Sequence, residues 1–161
     1  MKLKKILLVM AMLLFGIQGL FAQSYGAQYT KMHVVNVELD GSVTIQVSGQ
    51  GRYQKDAMDQ ARKHAVYNVI FKGMKMEDQN SLIVKPLIYE VNAAEKYASF
   101  FNSFFADGGD YVNFVNMSDR RVGTSTRTKN KKDKQVGWTT TVRVLRPQLE
   151  TFLIERGIIK K

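Results

Sequence analysis

Residues 47–70 read VSGQGRYQKDAMDQARKHAVYNVI, and this stretch decides the fold. Gly49 and Gly51 end an alternating strand, and the pattern that follows predicts a helix from about Tyr53 to Phe71. Alanines recur along one face of that helix, at Ala57, Ala61 and Ala65. Small side chains on such a face let a helix lie close to a sheet. We therefore expect the strand and the helix to pack in direct contact.

A β-hairpin is predicted immediately before this stretch. The first strand alternates with a period of two, and the pattern places on one face His33, Val35, Val37 and Leu39. The second strand, Val43 to Ser48, has the same period. Asp40 and Gly41 join the two, and an Asp-Gly pair between alternating segments is a strong hairpin signal because glycine reaches positive φ without steric cost.

The elements that follow are weaker in pattern but can be placed. The first helix is expected to end at Gly73, and a second helix is predicted from Asn92 to Phe105, with Asn92 and Glu95 in the spacing of a capping box. Short strands are predicted over 111–115, 122–128 and 136–144. A last helix opens at Arg146-Pro147 and ends at Gly157, since proline is favoured in the first turn of a helix.

This order of elements predicts the fold class. Strands come in hairpins and do not alternate one by one with helices, which favours an antiparallel sheet over a parallel nucleotide-binding one. We expect an α+β fold, with an antiparallel sheet built from hairpins and two long helices and a short C-terminal helix packed on it.

The N-terminal residues predict export. Three lysines precede a continuous apolar run from Ile6 to Phe15, and small residues follow up to Ala22. That order is typical of a secretory signal peptide, and the run is shorter than the roughly 20 residues of a spanning helix. We expect residues 1–22 to be the signal peptide and residues 23–161 a single α+β domain, exported to the periplasm or cell envelope.

Composition narrows the class of protein. The chain is 45% hydrophobic and 24% charged, as in globular domains, and it has no cysteine. Without cysteine there can be no disulfide, no zinc-thiolate site, no cysteine nucleophile and no acylated lipoprotein anchor. The domain must therefore hold together by packing alone, and we expect it not to be lipid-anchored.

The strand, Gly-x-Gly and alanine-striped helix resemble a signature of bacterial envelope proteins. In this sequence the matching positions are Gly49, Gly51, Ala57, Ala61 and Ala65. The stretch is similar to the twenty-kilodalton lipoprotein family and to the N-terminal domain of the flagellar assembly protein FlgT. The resemblance implies an envelope-associated, non-catalytic adaptor, and it carries over no catalytic residue.

Candidate catalytic residues are few. His33 and His64 are the only histidines, and they do not have the spacing of metal ligands. Asp107 and Asp110 flank two glycines and could hold a cation, although such a turn more often simply ends a helix. Gly49-x-Gly51 precedes a helix but lacks the Lys-Ser/Thr of a phosphate-binding loop. The sequence therefore predicts no catalytic residues, no metal and no cofactor.

A basic segment near the last hairpin is the first candidate binding site. The formal charge of the chain is +10, and it falls to +7 when the three leader lysines are removed. The basic segment consists of Arg120, Arg121, Arg127, Lys129, Lys131, Lys132 and Lys134. Such a cluster favours an anionic envelope polymer or lipid phosphate, or else serves only as a solvated turn that protects an edge hairpin. Nucleic acid ranks lower because only Trp138 supplies an aromatic ring nearby.

The second candidate is an aromatic face on the second predicted helix. Phe100 and Phe104 widen the apolar arc formed by Phe101 and Phe105. If their rings are exposed, they form an interface for a protein partner or for self-association, and otherwise they belong to the core.

These features together predict a secreted, non-catalytic binding or adaptor module of the cell envelope. Two alternatives stay open at this point. One is a subunit of a structural oligomer, and the other is a small metal-dependent hydrolase that uses Asp107 and Asp110.

Overall fold

A computed structural model describes residues 32–76, 83–116, 126–129 and 136–160. The predicted signal peptide, residues 1–22, lies outside the described residues. The elements in chain order are β1 (Met32–Val37), β2 (Val43–Gly51), α1 (Gln54–Phe71), α2 (Ala93–Lys96), α3 (Ala98–Phe104), a 3-10 helix (Asp110–Phe114), β3 (Val115–Asn116), β4 (Thr126–Lys129), β5 (Val136–Val144) and α4 (Arg146–Glu155). The α+β class is confirmed.

The sheet is antiparallel, in the order β1-β2-β5-β3. Strand β5 is central, and β2 pairs with it from Val43 opposite Val144 to Gly51 opposite Val136. The other side of β5 is shared, since β4 pairs with its first residues and β3 with its last two. The sheet is therefore built from hairpins, as the order of elements predicts.

The β1–β2 hairpin turns at Asp40 and Gly41, as expected. Gly41 has a φ of 78°, and the Asp40 carboxylate accepts hydrogen bonds from the backbone N–H of Ser42 at 2.9 Å and from its hydroxyl at 2.6 Å. Arg143 on β5 donates to the same carboxylate at 2.9 Å. The turn is thus tied to the central strand by charge as well as by backbone conformation.

The prediction of which side chains of β1 face the core is wrong. Val34 pairs with Ile45 and is buried in the core, whereas Val37 is 44% exposed and Leu39 fully exposed. The register shifts between Val34 and Asn36, and such a bulge breaks the alternation on which the prediction depended. His33 therefore does not lie on the core face of the strand.

Helix α1 packs on the sheet through its alanine face and the two glycines of β2. Ala57, Ala61 and Ala65 have no exposed surface. A Cβ atom at Gly49 would lie 1.9 Å from the carbonyl oxygen of Ala57 and 2.6 Å from the nitrogen of Ala61. The predicted close approach of helix and strand is therefore confirmed, and only glycine fits at the contact.

Both ends of α1 agree with the sequence. The backbone N–H of Tyr53 donates to the Asp56 carboxylate at 3.2 Å, so the acidic first turn caps the helix. At the other end Gly73 has a φ of 68°, and its N–H donates to the carbonyl of Asn68 at 2.8 Å. This left-handed glycine ends the helix as predicted.

The second predicted helix is divided. Helices α2 and α3 are separated at Tyr97, and Asn92 has a φ of 61° with no side-chain capping bond, so the predicted capping box is wrong. The strand predicted over 111–115 is mostly the 3-10 helix, and only its last residue joins β3. α4 begins at Arg146 and is followed by Gly157 with a φ of 71°, as predicted.

An aromatic cluster fills the space between α3, α4 and the 3-10 helix. Phe104 lies with its ring centre 6.1 Å from that of Phe114 and 6.0 Å from that of Phe152. Leu149 and Leu153 of α4 are fully buried beside it. Sheet, α1 and aromatic cluster form one continuous core.

We expect Gly49→Ala to lower the free energy of unfolding by about 3 kcal/mol, because the added methyl group meets α1 backbone that cannot rotate away. Gly108→Ala is the matched control. Gly108 has a φ of 73° and open space around it, so the same change there costs only about 1 kcal/mol of backbone strain. Urea unfolding of both variants measures the difference, and equal losses would contradict the close contact.

Candidate binding surfaces

The β4–β5 hairpin is the element that carries the predicted basic site. Thr126 pairs with Thr139 and Lys129 pairs with Val136, so residues 130–135 connect the two strands. Arg127 and Lys129 belong to β4. The other members of the predicted basic site lie outside the described residues: Arg120, Arg121, Lys131, Lys132 and Lys134. The strand pairing confirms the predicted hairpin. The anionic ligand of the hairpin stays a prediction.

The predicted interface of Phe100 and Phe104 is wrong for Phe104. The Phe104 ring is 2% exposed, because the 3-10 helix and α4 enclose it. Phe100 is half-buried and stacks on Phe104, with ring centres 5.7 Å apart and planes at 18°. Phe100 is therefore the member of this pair whose ring is partly exposed.

Asp107 and Asp110, which the sequence allowed only as an alternative cation site, flank the turn after α3, where Asp107 pairs with a lysine. Lys63 of α1 donates from Nζ to Oδ1 of Asp107 at 2.7 Å. The Lys63 side chain is 2% exposed, whereas that of Asp107 is almost fully exposed. The hydrogen bond and the charge of Lys63 lower the pKa of Asp107. This ion pair links α1 to the turn after α3.

Tyr111 packs beside the same ion pair. Nζ of Lys63 lies 5.5 Å from the centre of the Tyr111 ring, and burial raises the pKa of this phenol to about 12. The Lys63 ammonium is thus held between a carboxylate and an aromatic ring, both of which attract its positive charge. Within residues 32–76, 83–116, 126–129 and 136–160, no group of three acidic or histidine side chains could hold a metal ion.

The two histidines lie on different elements. His33 of β1 lines a shallow cavity of about 430 Å³ on the side of the sheet that carries Gln46 and Thr139. His64 lies on α1, where burial lowers its pKa while a hydrogen bond with the Ser48 backbone acts in the opposite direction. Both side chains make contacts within the fold.

A groove of about 560 Å³ lies between the α2–α3 junction, the turn after α3 and the end of α4. Its lining combines aromatic rings, hydroxyls and charges: Tyr97, Phe100, Ser99, Ser103, Asp110, Lys96 and Arg156. Sequence reasoning missed this site because its parts come from three separate segments. Phe100 and Phe104 both line the groove, and they are the two residues of the predicted interface.

Comparison of the chain with protein-family models, curated proteins and solved structures finds no match. The resemblance to the twenty-kilodalton lipoprotein family and to FlgT therefore stays a prediction. Among the helices of the described residues, none is both long and apolar enough to cross a membrane.

We expect Asp107→Asn to destabilise the fold by about 1–3 kcal/mol, because it leaves the buried Lys63 ammonium without a countercharge. Lys63→Met should cost less, since it leaves an exposed carboxylate that water solvates. Because the folded pKa of Asp107 is lowered, its contribution is complete above about pH 4 and is lost as the pH falls through the folded pKa. Urea unfolding at neutral pH compares the two variants, and the same measurement at acidic pH tests the loss of the Asp107 contribution. A larger loss of unfolding free energy for Lys63→Met than for Asp107→Asn would contradict the comparison.

A second pH effect is expected from His64. Its folded pKa lies below the ordinary value of 6.5, so the unfolded chain takes up the proton first and stability falls on acidification through that value. His64→Gln should flatten the dependence of unfolding free energy on pH between about 7 and 5. An unchanged slope in the variant would show that His64 does not cause it.

Proposed function

We propose that this chain is a non-catalytic binding module of the bacterial cell envelope, attached to anionic envelope material through its β4–β5 hairpin. The supporting observation is the register of that hairpin. Arg127 and Lys129 lie in β4, and the pairing of Lys129 with Val136 makes residues 130–135 the connection between the strands. Three further lysines occupy that connection, at Lys131, Lys132 and Lys134.

The balance of charge favours an anionic ligand. Near the hairpin only Asp119 and Asp133 oppose the basic residues. A concentration of like charge on one projection attracts phosphate or carboxylate surfaces, and the attraction weakens with salt because exposed charges are screened beyond about 10 Å at 0.1 M ionic strength. Lipid phosphate and acidic polysaccharide both satisfy this chemistry.

Export supports the same proposal. A Lys-rich start, an apolar run and a small-residue end favour a cleaved leader, and the chain has no cysteine for a lipid anchor. An exported protein without a covalent anchor can be retained in the envelope by electrostatic attraction to anionic material. The basic hairpin would supply the positive charge for that attraction. The resemblance to envelope adaptor proteins agrees with this role.

The test compares two variants of equal net charge. Lys→Gln changes at positions 129, 131, 132 and 134 should weaken binding to vesicles containing phosphatidylglycerol by at least tenfold, since each lysine near an anionic surface contributes about 1 kcal/mol. The control replaces exposed lysines elsewhere with Gln, at Lys55, Lys75, Lys85 and Lys160. Co-sedimentation at low and high salt measures both.

The proposal is supported if the control variant binds the vesicles as the wild type does and the hairpin variant binds them more weakly. The binding that the hairpin provides should also be lost at high salt. Equal losses in both variants would show that only net charge matters. Salt-resistant binding that survives the hairpin changes would overturn the electrostatic role.

A further inference from the structure

Aromatic rings that are held in place by packing form one wall of the groove beside α3. Phe100 is stacked on the buried Phe104 and lies 5.1 Å from Phe101 in an edge contact, so its ring is fixed from behind. Tyr97 is half-buried and lines the same groove. A ring that is packed on one face and open on the other offers a flat apolar surface to a ring-shaped ligand at little cost in side-chain entropy.

Arg156 supplies a charged group at the end of α4. Its guanidinium lies 4.9 Å from the centre of the Phe152 ring, a stacking contact that orients it. Within the part of the chain that the structure describes, no acidic side chain pairs with Arg156. Lys96 differs, because it donates to Glu90 at 2.6 Å. The planar fork of Arg156 is therefore the group suited to a ligand carboxylate.

The remaining polar groups favour a hydroxyl-rich ligand in which one acidic group reaches Arg156. Ser99 and Ser103 can donate and accept hydrogen bonds, and Asp110 can accept them. The Asp110 carboxylate disfavours a ligand with densely packed negative charge, such as a polyphosphate. The volume of about 560 Å³ falls within the 300–1,000 Å³ usual for small-molecule sites.

We infer that this groove binds an acidic sugar, a hexose-sized ring that carries a carboxylate. The ring lies against Tyr97 and Phe100, the carboxylate pairs with Arg156, and hydroxyls bond to the serines and Asp110. This site shares no residue with the basic hairpin and differs from it in chemistry, because it recognises a sugar ring and not charge alone.

The experiment uses trigalacturonate and its neutral counterpart galactotriose, with binding measured by calorimetry at about 0.15 M salt, where exposed charges are screened beyond about 8 Å. We expect the acidic sugar to bind at least tenfold more tightly than the neutral one. Arg156→Gln should weaken trigalacturonate binding at least tenfold, since a charge-assisted bidentate contact is lost. Lys85→Gln, an exposed charge outside the groove, is the matched control and should bind as the wild type does.

Thermal unfolding of Arg156→Gln checks that the fold is retained, and its midpoint should match that of the control. The hairpin variant with four Lys→Gln changes should still bind trigalacturonate. Loss of binding in that variant would place the sugar on the hairpin and overturn the inference. Absence of trigalacturonate binding to the wild type, or equal binding by Arg156→Gln, would overturn it as well, whatever the vesicle experiment shows.

Discussion

The contact between α1 and β2 is the constraint on which the rest of the structure depends. Gly49 and Gly51 let the backbone of the helix lie directly on the strand, and the alanine face of α1 completes the contact without large side chains. Because β2 pairs with the whole of β5, the position of α1 also fixes the central strand. The first residues of that strand also form the hairpin with β4, which carries Arg127 and Lys129.

The Lys63–Asp107 pair and the aromatic cluster position the elements that line the groove relative to α1. Lys63 comes from α1 and Asp107 from the turn after α3, so the ion pair sets the turn relative to the helix. The same turn supplies Asp110 to the groove, and the aromatic cluster holds α4 with Arg156 at its end. Buried charge and aromatic packing thus support a site that is formed from elements distant in sequence.

Local patterns predicted those parts of the fold that local physics determines. The Asp-Gly hairpin, α1 and its glycine stop, and α4 all follow from period and turn chemistry within short windows. The bulge in β1 and the division of the second helix at Tyr97 have no such signal, since neither place carries glycine or proline. Lys63 meets Asp107 across 44 positions, and the groove joins three segments, so neither could be predicted without the tertiary arrangement.

The two proposed binding chemistries would suit a protein at a polymer-rich surface, with the hairpin supplying charge attraction and the groove supplying recognition of a sugar ring. The most direct test of the binding role is capture of material from fractionated bacterial envelope on the immobilised chain from Gln23 onward, washed first at low and then at high salt. We predict that acidic polysaccharide or anionic lipid is retained at low salt and released at high salt. Retention of a protein alone, unaffected by salt, would contradict the account.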